Sequence, residues 1–330
     1  MVLMLPKRLA PGDEIRIIAP STSMAVVKGK QIEIAKERLQ QLGFNVTFAK
    51  NTSEHDEFFS TSIENRLEDI HEAFAEPKVK GILTVLGGYH ANQLLKYIDY
   101  ELIAANPKVF CGYSDITALQ GAMYKKAGLI TYYGPHFSSF GMKHGFDYLL
   151  QSFIEAVTND APYELMPSDE WSDDPWYLEQ EARTFFKNDG PVVIQQGKAE
   201  GRLVGGNLCT FNLLQGTEFM PSLKNSILFI EDDEESHIHT FDRDLQSLLH
   251  LPDASGIKGV LLGRFQKASN VTEAAIRKMI ADKRELAGIP VIANVNFGHI
   301  QPIATIPFGG RAIVSAEGTT AKIMIEQNEQ

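Results

Sequence analysis

Apolar positions in the first half of the chain switch repeatedly between two periods. Residues 14–19 carry Ile15, Ile17 and Ile18 and end in Pro20-Ser21-Thr22-Ser23, which predicts a strand and its turn. Ile32, Ala35, Leu39 and Leu42 then fall on one helical face, stopped by Gly43. Strand character resumes over 45–48. A second helix follows with Ile63, Leu67, Ile70 and Phe74, opened by a capping box of Thr61 and Glu64. Residues 81–86 are a continuous apolar run, the pattern of a strand buried on both faces. Two more strands fall at 108–111 and 130–133, with a helix over 116–127 between them. Strand, helix and strand at this spacing imply parallel strands covered by helices on both faces, an α/β fold.

The pattern breaks between Thr158 and Gly201. Both tryptophans, Trp171 and Trp176, lie here inside the polar run 168–176. Long loops in compact domains are often functional, so one reading is a connection that folds over a site. A solvated linker anchored by two aromatics fits the pattern too. Beyond it, strands are predicted at 226–230, 259–262 and 290–293, helices at 240–249 and 272–286, and a hairpin of 311–315 with 321–325 around Glu317-Gly318. The expected organisation is an N-terminal parallel-sheet α/β domain carrying the nucleophile (1–157), a connecting segment and candidate substrate loop (158–200), and a C-terminal mixed α/β domain with a β-rich end (201–330).

Composition narrows the class. The chain has 330 residues, 44% hydrophobic and 22% charged, with 26 Gly, 15 Pro and 2 Cys. That length suits two domains, and the balance excludes collagen-like, disulfide-framework and disordered proteins. No run of 18 apolar residues occurs, so no membrane helix is expected. Met1 to Leu5 precede Lys7 and Arg8, the reverse of a secretory leader, and the expected compartment is the cytoplasm. A net charge of -11 repels phosphate backbones, so neither nucleic acid nor an anionic membrane is an expected partner. Cys111 and Cys209 cannot make a zinc cluster by themselves.

Ligands in parallel α/β sheets bind beyond the carboxyl ends of strands, and four such ends carry candidate chemistry. At Gly87-Gly88-Tyr89-His90, with a helix expected from Ala91, two glycines let the backbone present its N–H groups to an anion; a plain tight turn fits equally. At Cys111-Gly112-Tyr113-Ser114-Asp115, a serine stands where strand becomes helix, as nucleophile or as helix cap. Glu231 closes an apolar strand and opens the acidic run Asp232-Asp233-Glu234-Glu235. It can orient an imidazole, or the run can hold magnesium for phosphate transfer, or it is a solvated loop. His299 follows Gly298 beyond the fourth strand. His237 and His239 are spaced for a metal but lack a third ligand in pattern. A Ser, acid, His order across strand ends is that of a hydrolase, while a non-catalytic peptide- or nucleotide-binding protein would have no need of the trio.

Read together, these segments resemble the LD-carboxypeptidase family of serine peptidases, and within it the branch related to microcin C self-immunity proteins. The resemblance is carried by Pro11-Gly12-Asp13, Ala19-Pro20-Ser21, Gly87-Gly88-Tyr89, Gly112-Tyr113-Ser114-Asp115, Tyr133-Gly134-Pro135, Gly205-Gly206-Asn207-Leu208, Phe229-Ile230-Glu231-Asp232 and Gly298-His299, in family order over nearly the whole chain. It implies Ser114 as nucleophile, His299 as general base and acid, and Glu231 as the acid orienting His299. It further implies an oxyanion hole from the Gly87-Gly88 turn and the Asp115 N–H, a site between the two domains, no metal or other cofactor, and a homodimer. His90 departs from the small residue usual after Gly-Gly-Tyr. Two substrate classes share the scaffold: murein LD-tetrapeptides losing D-Ala, and aminoacyl or peptidyl nucleotide analogues. The resemblance assigns Trp171 or Trp176 to stacking on a nucleobase, which favours the second, as base–aromatic stacking is worth about 1 to 3 kcal/mol.

Overall fold

The computed structural model describes residues 3–326; Met1, Val2 and the last four residues lie outside it. The first half builds strands β1 (Glu14–Ile18), β2 (Asn45–Phe48), β3 (Val79–Thr84), β4 (Val109–Gly112) and β5 (Thr131–Tyr133). Helices α1 (Gly29–Gln41), α2 (Ile63–Ala75), α3 (Tyr100–Ala105), α4 (Thr117–Ala127) and α5 (Phe146–Thr158) connect and cover them. The apolar runs become the central strands: β4 is buried at every position and β3 at all but one. Periodic segments become helices that bury one stripe, such as Phe146, Leu149, Phe153, Ala156 and Val157 of α5.

Two local expectations shift. Ser62, not Thr61, caps α2, its hydroxyl accepting from the Asn65 N–H at 3.2 Å; the Thr61 hydroxyl is instead engaged by the Asn65 side chain. After the glycine turn, residues Ala91–Leu94 form one 3₁₀ turn rather than a helix.

The second half contributes β6 (Tyr163–Glu164), β7 (Glu170–Trp171), β8 (Phe186–Lys187), β9 (Val192–Gln195), β10 (Gly197–Asn207), α6 (Leu208–Asn212), β11 (Ser226–Glu231), α7 (Ile238–Leu249), β12 (Ile257–Gly263), α8 (Glu273–Asp282), β13 (Val291–Val295), β14 (Ile306–Phe308), β15 (Arg311–Glu317) and β16 (Thr320–Glu326). Eight of these strands form one sheet in the order β6-β16-β15-β10-β11-β12-β13-β9, parallel from β10 to β13 and antiparallel toward both edges. The segment 158–200 is thus not a bare connection: β6 and β9 edge the large sheet, and β7 pairs with β8. Strands of two to four residues are too short to show a period of two, which is why the sequence pattern hides them.

The other sheet has the order β14-β5-β4-β3-β1-β2 and is parallel except for β14, which returns from the second half to pair antiparallel with β5. Pro307 is tolerated there because β14 is an edge strand. Helix α4 is buried on nearly every face, packed between its own sheet and β10, α6 and β14. Its N-terminal end therefore opens where the two sheets meet, and Ser114 lies just before it.

Candidate active site

Ser114 follows β4 by two residues and takes a left-handed backbone, φ 61°, at the head of a 3₁₀ turn running into α4. A non-glycine residue held there is strained. His299 comes from the connection between β13 and β14, and its Nε2 stands 3.1 Å from Ser114 Oγ. Its Nδ1 lies 2.8 Å from Glu231 Oε2 at the end of β11. Three residues far apart in sequence thus form one continuous hydrogen-bonded relay. Glu231 is buried and further held by two donors, Tyr133 Oη at 2.6 Å and Asn207 Nδ2 at 3.3 Å, both on Oε1. Tyr133 in turn accepts the Ser114 N–H at 3.4 Å, so one hydroxyl touches both ends of the relay.

The electrostatics follow from burial and proximity. Burial opposes charge on both partners, yet the Glu231–His299 pair outweighs it. His299 is raised to about 9 by the Glu231 carboxylate, while Glu231 is held below its ordinary range by His299, Tyr133 and Asn207. Asp232, beside it, is pushed up to about 7 by burial and then by Glu231. His136 stacks on Tyr113 at 4.3 Å and bonds Thr84 Oγ1; burial and the nearby His299 lower it to about 3, so it stays neutral. Tyr113 also meets the His299 ring edge-on at 5.4 Å.

Gly87 lies against the serine: a Cβ there would sit 2.9 Å from Ser114 Cβ and 3.0 Å from its Oγ. Gly88 has φ 141° and no room either, with Thr22 Oγ1 2.2 Å from the Cβ position. The Asp115 side chain is buried and does something the sequence did not suggest. It accepts from Ser21 Oγ at 2.5 Å and from the Ala91 N–H at 2.9 Å, tying the glycine turn to the serine turn. The His90 ring packs edge-on against Phe58 at 5.9 Å, and its carbonyl accepts from Arg66. Of the acidic run only Asp232 is buried with Glu231; Glu234 and Glu235 are exposed. Among the described residues no three His, Cys, Asp or Glu side chains converge as metal ligands, and the His237 ring is engaged by the Thr240 hydroxyl at 3.1 Å.

The tryptophan segment reaches the site through its backbone. Ser172 and Gln301 exchange N–H···O bonds of 2.7 and 2.8 Å, clamping the segment to the loop that carries His299. The two indoles differ in cover. Trp176 is buried, with the Tyr177 ring against it, because the chain turns tightly at Pro175 and folds the indole inward. Trp171 is half-buried beneath the Arg264 guanidinium at 4.8 Å, with Phe186 beside it. Tyr177 and Leu178 are the exposed members, and their carbonyls accept from Gln31 and Lys28 of the α1 end. The Tyr133 hydroxyl, the Asn207 amide and the Asp115 carboxylate hold this arrangement in place; the sequence reading assigned a role to the Asp115 N–H but none to these three side chains. All three lie in the motifs Tyr133-Gly134-Pro135, Gly205-Gly206-Asn207 and Gly112-Tyr113-Ser114-Asp115, and polar groups in such strand-end motifs were the available signal.

Comparison with known proteins follows the same outline. The LD-carboxypeptidase N-terminal domain matches residues 15–134 and the LD-carboxypeptidase C-terminal domain residues 200–314. YocD of Bacillus subtilis, provisionally named a carboxypeptidase, is 55% identical over 325 residues, covering 98% of this chain and all of the relative. The microcin C7 self-immunity protein MccF of Escherichia coli is 32% identical over 334 residues, 97% of this chain and 95% of MccF. Its structure in complex with aspartyl sulfamoyl adenosine superposes with a TM-score of 0.88 at 30% identity, covering 99% of both chains. The crystal structure of an MccF-like protein from Bacillus anthracis superposes with a TM-score of 0.97 at 51% identity, covering 98% of this chain and all of that one.

Proposed function

This chain belongs to the LD-carboxypeptidase family of serine peptidases, and from that premise we propose that Ser114, His299 and Glu231 are its catalytic triad, acting on aminoacyl or peptidyl nucleotide analogues. The observation that carries the triad is the relay of 3.1 Å and 2.8 Å through His299 to a buried carboxylate. Serine is uncharged and needs a base; His299 takes the Oγ proton as Oγ attacks the scissile carbonyl. Glu231, with both oxygens occupied by His299, Tyr133 and Asn207, fixes the imidazole tautomer and stabilises the imidazolium that forms. The tetrahedral oxyanion is received by N–H groups of the Gly87-Gly88 turn and of Asp115, each such donor lowering the barrier by about 3 kcal/mol. His299 then returns the proton to the departing amine. Water, activated by the same imidazole, releases the acyl group from Ser114.

Substrate class is supported by likeness to MccF, whose structure holds an aminoacyl sulfamoyl nucleoside, and by an aromatic segment clamped to the His299 loop. A second reading, removal of D-Ala from murein LD-tetrapeptides, is favoured by the burial of Trp176, which leaves that indole closed to a base. The two are separated by mass spectrometry on a murein LD-tetrapeptide and on an aminoacyl sulfamoyl adenosine, each with wild type and Ser114→Ala. Cleavage of the adenosine compound alone, lost in the variant, supports the nucleotide reading; loss of D-Ala alone supports the murein one. Cleavage of neither, with no covalent labelling of Ser114, replaces both with a binding protein. A homodimer acting on small molecules in the cytoplasm completes the proposal, and sedimentation velocity tests the assembly.

A further inference from the structure

Among the described residues five other than glycine take a left-handed backbone. Asn225, Asn270 and Asn294 are of the type that tolerates it, and Ser114 is accounted for by its chemistry. The fifth is Phe59, φ 55°, a bulky aromatic with no such tolerance. Its loop is built to hold it there. The Asp56 N–H donates to the Ser60 carbonyl at 2.7 Å, the Phe59 N–H to the Asp56 carbonyl at 3.1 Å, and the Phe58 N–H to Asp56 Oδ1 at 2.8 Å. What this strain achieves is exposure: Phe58 is 64% and Phe59 57% accessible, two large apolar side chains kept out of the core.

The loop is not remote from the chemistry. Thr22 and Ser23 are consecutive, and their N–H groups hold the Gly87 carbonyl at 3.2 Å and the Phe59 carbonyl at 2.8 Å. One turn thus fixes the glycine against Ser114 and the exposed phenylalanine together. Tyr89, 71% accessible, follows Gly88, and Phe58 packs on the next residue, His90. The Tyr89 hydroxyl donates to Glu235 at 3.2 Å, so the aromatic edge is continuous with the exposed acids Glu234 and Glu235, and Asp56 and Glu57 flank Phe58.

We propose that Phe58, Phe59 and Tyr89 form a specificity rim that receives a large apolar side chain on the acyl part of the substrate, while the acids beside it turn away an acidic one. The inference rests on Ser114 being the nucleophile, since that places the rim at the mouth of the site. It separates this chain from MccF, whose structure holds an aspartyl group. Aromatic faces stabilise an apolar side chain by removing it from water, and carboxylates beside them raise the cost of a second carboxylate.

The test uses the full chain with Ser114→Ala, which holds uncleaved ligand, and calorimetry with leucyl and aspartyl sulfamoyl adenosine. The leucyl compound is expected to bind at least about tenfold more tightly, a discrimination ordinary for apolar pockets. Adding Phe58→Ala and Phe59→Gly removes both rings, and glycine accepts the left-handed backbone, so the loop keeps its path. Leucyl affinity should then fall about tenfold with aspartyl affinity within about twofold. Equal loss for both ligands, no loss, or tighter aspartyl binding in the parent would overturn the rim. So would a dimer that becomes monomer on the loop substitutions, which would assign these rings to a second copy. If enzyme with Ser114 intact cleaves neither compound while the leucyl preference holds and a fluorophosphonate still labels Ser114, the nucleotide-analogue reading falls and the rim stands; without that labelling the rim falls with the nucleophile.

Discussion

Replacing Glu231 by glutamine tests the relay at its least accessible member. The carboxylate is buried and 2.8 Å from His299 Nδ1, and it is the group that lifts the imidazole from 6.5 to about 9 against the opposing effect of burial. At about 1.4 kcal/mol per pKa unit, Glu231 favours the imidazolium by a few kcal/mol. Glutamine keeps the volume and a hydrogen bond but removes the charge, leaving burial opposed only by the smaller effects of Asp233 and Asp232, so the imidazole should fall back toward 6.5 or below. Two consequences can be read separately. In wild type the free enzyme must shed the His299 proton before it can accept that of Ser114, so reactivity should rise with pH toward about 9. In Glu231→Gln that rise should move down by about two units or more, and the plateau should drop by about 10³ to 10⁴, because the imidazolium formed during attack is no longer stabilised. Labelling of Ser114 by a fluorophosphonate, followed by mass spectrometry from about pH 5.5 to 10, measures both without a known substrate. A rise that stays in place, or a plateau within about threefold of wild type, would refute the assignment of Glu231 as orienting acid.

Three further outcomes are expected. Ser114→Gly should abolish hydrolysis yet raise thermal stability, relieving about 1 to 3 kcal/mol of backbone strain, whereas Ser114→Ala keeps φ 61° and its strain; differential scanning calorimetry on the pair decides. Gly87→Ala should cut hydrolysis by at least about 100-fold with the circular dichroism spectrum unchanged, because the new methyl lies 2.9 Å from Ser114 Cβ and must displace the nucleophile. Asp232→Asn concerns stability. Asp232 titrates at about 7 in the fold and near 3.8 unfolded, so between those values the unfolded chain releases its proton first and stability falls as pH rises. Asparagine removes that loss and still accepts from Asn207, so the variant should melt higher than wild type at about pH 8 and no differently near pH 4; equal melting at both would contradict the shift.

Much of this was legible because the central strands are long apolar runs and the reacting groups stand at their ends. The strands at 14, 45, 81 and 226 begin or lie within a few residues of where pattern puts them, and Ser114, Glu231 and His299 converge in space as their order along the chain suggested. What stayed hidden has a common physical cause: its stability comes from partners distant in sequence. β10 contains Gly197, Gly201, Gly205 and Gly206 and reads as loop, yet a Cβ at Gly205 would lie 1.9 Å from the Phe229 carbonyl oxygen, so close strand packing demands the residue that disguises it. Pro307 hides β14 in the same way. Tyr133 looked like one more apolar strand residue; only the fold brings its hydroxyl to Glu231. Trp176 misled in the other direction, since an aromatic in a polar segment suggests an exposed face and the turn at Pro175 buries it.

The crossing of β14 has a consequence for the gene as much as for the enzyme. His299 rides on the span between β13, in one sheet, and β14, in the other, so the base belongs wholly to neither half. A chain interrupted in the 158–200 segment would leave β5 with a bare edge in the first fragment and carry its natural cover away in the second. Open strand edges recruit strangers, and each fragment alone would be prone to aggregate. Made together, the two pieces have a specific lock to find, three residues of β14 against β5, and only its closing would bring the imidazole to the serine. Recovered reactivity of Ser114 would therefore report fragment assembly directly, making this fold a candidate for splitting into a reconstitution switch.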